Sequence, residues 1–398
     1  MSILRLPNRV LGALGLELRR VPKSGVDTRV LTLQPSGQPR GRVLLAYLLE
    51  PLLRLEETPD SGHTHNLESV LMAKAWLDRG FTVDAIDYRN NIFEPRERYD
   101  WFTGARLYFK ETADRLPAET RRIVHLDTSH FAVNNAEAYR RLIDCSLRRG
   151  VSLHDSIRLI EHGDGIECAH QGILLGNTVT AETYRYAGKP IHTLCVPSVV
   201  QESNSPQKSW DAVRRRFIWL GSNGMLHKGL DVTLEAFARM PDMHLTICGP
   251  VDKEPAFARA FSRELALPNV TLHGWIDVGG EAFRALAANS VALVYPSCAE
   301  GQAGAAVNCI RAGLIPLVSP RSGVDVEDFG LMLGQCSVDE VCEAVTRVAA
   351  MSAEELYARS LAAWTYGEDN FSREAYRRRY GDILDRIETM KQANGAAV

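Results

Sequence analysis

The 398 residues lack an apolar run near the ~18 residues that a membrane-spanning helix needs, so no such helix is expected. They also lack an excess of either charge. Lysine and arginine number 46, aspartate and glutamate 49, and the net charge is −3, which argues against a general nucleic-acid binder. No CxxC pair occurs among the eight cysteines at 145, 168, 195, 248, 298, 309, 336 and 342. Several sit inside apolar patterns such as "LTICGP" and "HTLCVPS". They read as small buried hydrophobes in a reducing compartment, not as disulfides or zinc ligands. No GxGxxG follows the first strand pattern, which weighs against a dinucleotide-dependent oxidoreductase. Neither a short-period repeat nor a low-complexity tract is present.

What remains is a soluble, globular composition, 45% hydrophobic and 24% charged, long enough for two domains. The N-terminal "MSILRLPNRVLGALGLELRR" has early arginines but no small-residue cleavage site, so a cleaved leader is not expected. Residues 1–24 hold Arg5, Arg9, Arg19, Arg20 and Lys23 against Glu17. Such a basic amphipathic stretch can lie on an anionic membrane surface or pack on its own domain. The expected location is cytoplasmic, with peripheral contact at the inner face of the membrane as an option.

Strand–loop–helix grammar occurs twice. In the first half, 42–51, 81–88 and 122–131 read as strands, with helical spacing over 67–80 and a stop at Gly80. In the second half, 216–222, 244–250, 269–276, 291–297 and 314–319 read as strands, separated by helical patterns at 230–240, 254–265, 280–288 and 304–313. The chain after 337 reads as helical, ending in a long basic helix over 371–392. Alternating strands and helices imply parallel sheets covered on both faces, hence two Rossmann-like, doubly wound α/β domains facing across a cleft. The expected division is 1–200, 201–366 and a C-terminal helix at 367–398 that returns to the first domain. The boundary falls in the polar, proline-bearing stretch 196–216.

Two stretches of the second half carry chemistry. "GSNGMLHKGLD" (221–231) joins a strand to a helix. Gly221 and Gly224 permit close backbone approach, and Lys228 stands where it can reach an anion at the helix N-terminus. An ordinary loop with a solvated lysine is the plain alternative. In "YPSCAEGQAGAAVNCIRAGLIPLVS" (295–319), Gly301 and Gly304 flank a helix N-terminus whose unpaired amides suit a phosphate or sugar hydroxyl. Glu300 can accept two hydroxyls, or simply serve the helix dipole. Asn308 falls on the same face as the loop glycines, or is a buried polar residue bonded to backbone. "DVED" (325–328) reads as a helix start, and no metal cluster is evident.

The ordered set "HKGLD", "ICGP", "LHGWI" and "PSCAEG…N…AGLIPLVS" resembles the retaining glycosyltransferases of the GT-B fold, of the glycosyltransferase family 4 type (glycosyl transferases group 1). It covers about 216–330. The first half resembles the family more weakly, through the glycine-bearing loop near Gly62 and "GN…T" at 176–180. The resemblance implies transfer of a sugar, with retention, from a UDP- or GDP-sugar donor to a glycan or lipid-linked saccharide in surface polysaccharide synthesis. It implies neither cofactor nor metal. Lys228 would contact the donor diphosphate, and Glu300 the sugar hydroxyls, beside the amides of Gly301, Gln302, Ala303 and Gly304. Asn308 would face the ribose, and the loop of Gly274 and Trp275 the base. Gly221, Ser222 and Gly249 complete the donor side. His130 is the candidate for an active-site histidine, with His63 and His65, near Gly62 on the acceptor side, as competitors.

Two departures stand out. The family usually has arginine where this chain has Ser222, and glutamate where it has Asn308. A non-catalytic nucleotide-sugar-binding subunit and a sugar-nucleotide epimerase are the rival readings.

Overall fold

A computed structural model describes residues 26–54, 64–200 and 205–395, without the side chains of the last six. The basic segment 1–24, Gly62 and His63 lie outside the described residues.

The first sheet holds β1 (Leu31–Leu33), β2 (Gly41–Tyr47), β3 (Phe81–Asp87), β4 (Trp101–Ala105), β5 (Arg121–Leu126), β6 (Gln171–Leu175) and β7 (Ile191–Leu194). Their order is β1-β3-β2-β4-β5-β6-β7, parallel except for β1, which pairs antiparallel with β3 at the edge. The second sheet holds β8 (Arg216–Leu220), β9 (His244–Cys248), β10 (Val270–Gly274), β11 (Ala292–Tyr295), β12 (Ile315–Val318) and β13 (Leu331–Met332). Its order, β10-β9-β8-β11-β12-β13, is parallel throughout. Parallel strands covered on both faces need apolar residues on both. Phe217, Ile218 and Trp219 are accordingly all fully buried in consecutive positions.

Six helices matter to the site: α1 (Thr64–Asp78), α2 (Phe131–Arg149), α3 (Leu230–Arg239), α4 (Gly304–Arg311), α5 (Ala353–Phe371) and α6 (Arg373–Gly395). One core runs from Val43, Trp76 and Val83 in the first domain, through Val196, Val199 and Val200 of the connection, to Ile218, Leu293 and Ile310 in the second. The final helix joins the same core with Tyr376, Tyr380, Leu384 and Ile387. It is tied to α1 and its following turn. Arg79 Nη2 donates to the Gly381 carbonyl (2.6 Å) and to Asp385 Oδ1 (2.7 Å), and Arg40 pairs with Glu388 at 2.8 Å.

Helix α2 departs from the plain doubly wound plan. It lies between β5 and β6 in sequence, yet its buried Ala138 and Cys145 belong to the core of the second domain, with Phe217, Trp219 and Leu230. Three arginines fasten it there. Arg141 Nη1 donates to Asp231 Oδ1 (3.2 Å) and Nη2 to the Pro296 carbonyl (2.9 Å). Arg148 donates to Asp231 and Glu235, and Arg149 forks onto Glu264 while its guanidinium lies 4.5 Å above the Phe261 ring. Residues 131–163 therefore form an arm of the first domain seated on the second. One further difference concerns 325–328, expected to open a helix. These residues form irregular chain and a turn, with Asp325 accepting from Asn177 Nδ2 at 2.8 Å.

Candidate active site

In each domain the strand order reverses once, between β2 and β4 in the first and between β8 and β11 in the second. Crevices outside the carboxyl ends of strands form at such reversals. Here the two face one another across a cleft of about 320 Å³. The first domain lines it with Thr64, His65, Arg106 and Asp127, and the second with the residues after β8 and β11.

Lys228 and Glu300 meet in this cleft. The lysine Nζ donates to Glu300 Oε1 at 2.9 Å and to the Tyr295 hydroxyl at 2.9 Å. The Tyr295 and Ser297 hydroxyls also donate to Oε1, at 2.9 and 3.0 Å. Glu300 Oε2 accepts no hydrogen bond among the described residues. Arg158 Nη1 stands 3.9 Å from it. Burial pushes the pKa of the Glu300 carboxyl up, but the charges of Lys228, then Arg158, outweigh it and hold the group ionised, well below the usual carboxylate range. Burial lowers Lys228, with the Glu300 carboxylate opposing. The pair leaves one carboxylate oxygen, Oε2, able to receive the hydroxyls of a ligand.

Gly229 explains how Lys228 is aimed. Its φ of +74° is left-handed, and a Cβ there would lie 2.3 Å from the Pro296 carbonyl oxygen. The loop after β8 thus passes directly against the loop after β11, which brings Lys228 to Glu300.

The other residues singled out by sequence divide into two groups. Gly221, Ser222, Gly249, Trp275, Gly301, Gln302, Ala303, Gly304, Asn308 and His65 all line the cleft. Trp275 is 70% exposed and follows Gly274, where β10 ends. The first amides of α4, from Gly304 onward, have no intrahelical acceptor. The Ala303 amide, however, donates to the Ser322 carbonyl at 2.8 Å. The Gln302 side chain accepts from the Val196 amide (2.7 Å) and donates to the Gly323 carbonyl (3.0 Å). Asn308 is 4% exposed, and its oxygen accepts from the Ser198 hydroxyl (2.8 Å) and the Val199 amide (3.1 Å). Both residues hold the connection between the domains. The oxygen expected to meet a ribose is occupied by that connection.

His130 is not among the residues lining the cleft. Strand β5 ends at Leu126, and His130 caps the start of α2 four residues later. Its ring packs among Phe131, Tyr184 and Tyr186, its amide donates to Thr183 Oγ1, and burial lowers its basicity. His65 does reach the cleft. Its Nδ1 lies 3.0 Å from Glu68 Oε2, which also accepts from the Tyr47 hydroxyl. Burial opposes the charge on His65, and the Glu68 carboxylate outweighs it, lifting the imidazole to about 9. The "GN…T" segment closes the far side, where Thr180 Oγ1 donates to the Gly301 carbonyl at 2.9 Å.

Sequence reasoning passed over Arg158, Arg106, Asp127 and His227. His227 is buried, its Nε2 bonded to the Ala299 carbonyl at 2.6 Å while its Nδ1 receives the Arg158 amide at 3.3 Å. Burial pushes it down to about 4, so it is neutral at pH 7. The signal was present for His227 alone, which precedes Lys228 in "HKGLD". Among the described residues, no group of three or more histidine, cysteine, aspartate or glutamate side chains is placed to hold a metal ion, and no helix is long and apolar enough to cross a membrane.

Residues 214–351 match the model of the family described as glycosyl transferases group 1. No curated protein matches the chain. Among solved structures, the sucrose-phosphate synthase of Thermosynechococcus elongatus superposes with a TM-score of 0.62 at 14% identity, covering 89% of this chain and 100% of that one. The Anabaena protein Alr3699/HepE in complex with UDP gives 0.59 at 10% identity, covering 87% and 100%. The catalytic domain of starch synthase IV from Arabidopsis thaliana, bound to ADP and acarbose, gives 0.51 at 14%, covering 77% and 82%. The fold is GT-B, and the second domain carries the region matched as a glycosyltransferase.

Proposed function

We propose that this glycosyltransferase domain moves a hexose from a UDP- or GDP-sugar to a glycan or lipid-linked saccharide, with retention of configuration, in surface polysaccharide synthesis at the inner face of the membrane. The observation that carries the reading is the Lys228–Glu300 pair. It stands at the strand-order reversal of the second domain, beside the amides that open α4, and faces the reversal of the first. In this scheme Glu300 Oε2 receives hydroxyls of the donor sugar. The departing diphosphate gains negative charge in the transition state, where Lys228 and the N-terminus of α4 stabilise it. The exposed ring of Trp275 offers a face for the base. The acceptor enters from the side of His65 and Asp127. The scheme assigns no step to a resident metal.

The test is a panel of nucleotide sugars, read by melting temperature and by release of UDP or GDP. One donor is expected to stabilise the protein and to release nucleotide, faster with a glycolipid acceptor present. Replacing Lys228 by alanine is expected to lower turnover by roughly 10²–10³. Unchanged turnover in K228A would remove the lysine from the mechanism. A second reading, a nucleotide-sugar-binding subunit without turnover, draws on Asn308, whose oxygen is committed to the connection. Stabilisation with no nucleotide release under any acceptor condition supports that reading instead.

A further inference from the structure

Four cations line the cleft among the described residues, and three are matched by a hydrogen-bonded carboxylate. Lys228 is held by Glu300 at 2.9 Å, His65 by Glu68 at 3.0 Å, and Arg106 by Asp127 at 3.3 Å. Arg158 is the exception. Its nearest carboxylate oxygen, Glu300 Oε2, is 3.9 Å away, and its side chain is 49% exposed. Lys228 and Glu300 together sum to no net charge. A diphosphate bound there needs a further cation, and position 222, in the loop where one could stand, is serine.

We infer that Arg158 is the donor-diphosphate cation of this enzyme, delivered by the first domain's arm to the place left open at Ser222. The inference rests on the glycosyltransferase reading above. The backbone at Arg158 is clamped from both sides. Its amide donates to His227 Nδ1 at 3.3 Å, and its carbonyl accepts from Asn134 Nδ2 at 2.9 Å. Two residues earlier, the Ser156 carbonyl accepts the His227 amide at 3.0 Å. The aliphatic stem lies over Gly224, where an added Cβ would come within 2.8 Å of Arg158 Cγ. These contacts fix the base of the side chain against the same loop that carries Ser222 and Lys228. The guanidinium itself makes no hydrogen bond among the described residues, and its one ion pair there is the 3.9 Å approach to Glu300 Oε2, so its N–H groups are open to a ligand. A planar, permanently charged fork suits two phosphate oxygens better than an ammonium does. The arm is fastened to the second domain by Arg141, Arg148 and Arg149, which ties the segment carrying Arg158 to the domain that holds the donor site.

The test is calorimetric binding of UDP, GDP and ADP, and of the matching nucleosides, to the full chain and to R158A, S222R and R158A/S222R. In R158A the diphosphate that the wild type binds is expected to weaken roughly tenfold or more, the loss of one charge-assisted contact. Nucleoside affinity and melting temperature are expected to hold. The double variant is expected to recover diphosphate affinity, because Ser222→Arg restores a cation in the facing loop. Equal diphosphate affinity in wild type and R158A overturns the inference. So does an equal loss for nucleoside and diphosphate, which marks a role in loop shape. Wild-type protein that binds no nucleoside diphosphate refutes the functional reading itself, a result separable from either outcome in R158A.

Discussion

Replacing Asn308 by alanine distinguishes two uses of one oxygen. In the structure that oxygen accepts from the Ser198 hydroxyl at 2.8 Å and the Val199 amide at 3.1 Å, all three residues being buried. The same turn is pinned from its other side, where the Ser198 amide donates to the Phe371 carbonyl at the end of α5 (2.7 Å). Truncation leaves the Val199 N–H buried without an acceptor, which costs about 1–3 kcal/mol, while the serine hydroxyl can rotate elsewhere. Loss of the packed side chain adds to this, so about 2–3 kcal/mol is expected. For a body of this size that lowers the first melting transition by roughly 5–10 °C. Nucleoside diphosphate affinity, measured on the same protein well below that transition, is expected to change less than the roughly tenfold effect of a lost charged contact. The opposite pattern, intact melting and tenfold weaker nucleotide, would show that Asn308 serves the ribose and that its bonds to the connection are incidental.

Two further outcomes follow from buried charge. Arg141→Met leaves Asp231, fully buried, with Arg148 as its remaining cation, and strips the Pro296 carbonyl of a donor. Urea unfolding should show a loss of about 3 kcal/mol, at the low end for breaking a buried pair because Arg148 remains; a change below about 1 kcal/mol would mean that the arm is not held by this contact. His227 has a folded value near 4, below the ordinary 6.5, so the unfolded chain takes up the proton first as pH falls. Its contribution is complete above pH 6.5 and is lost as pH falls toward 4. Between pH 7 and 4.5, urea unfolding of the wild type should lose about 2–3 kcal/mol more than that of His227→Gln, and parallel losses in the two proteins would remove His227 as the cause.

The parallel strands of the second domain were legible because burial on both faces demands unbroken apolar runs, as in "RFIWL" and "ALVY". Among the strands missed by pattern, three show where this signal fails. β1 and β13 have three and two residues. β4, "WFTGA", is a central strand, yet five residues with a glycine show no usable period. The reading of 122–131 as one strand carried His130 to a strand end. The chain in fact turns after Leu126, which places Asp127 in the cleft and His130 on a helix cap.

The least legible feature was the arm, and the reason is physical. A helix pattern after β5 predicts a helix on the face of its own sheet, and 131–149 has that pattern. What seats it elsewhere is a match of charges about ninety residues apart, Arg141 and Arg148 against Asp231 and Glu235. The acids stand at i and i+4 on α3, the arginines seven apart on α2, so each set shares a helix face. Each, read alone, is an ordinary solvated face, and only their pairing turns both into an interface. That pairing seats the arm whose Arg158 lines the same cleft as Lys228 and Ser222, and so the departure at Ser222, which in sequence looked like a loss of charge, shares its cleft with a cation supplied from the other domain.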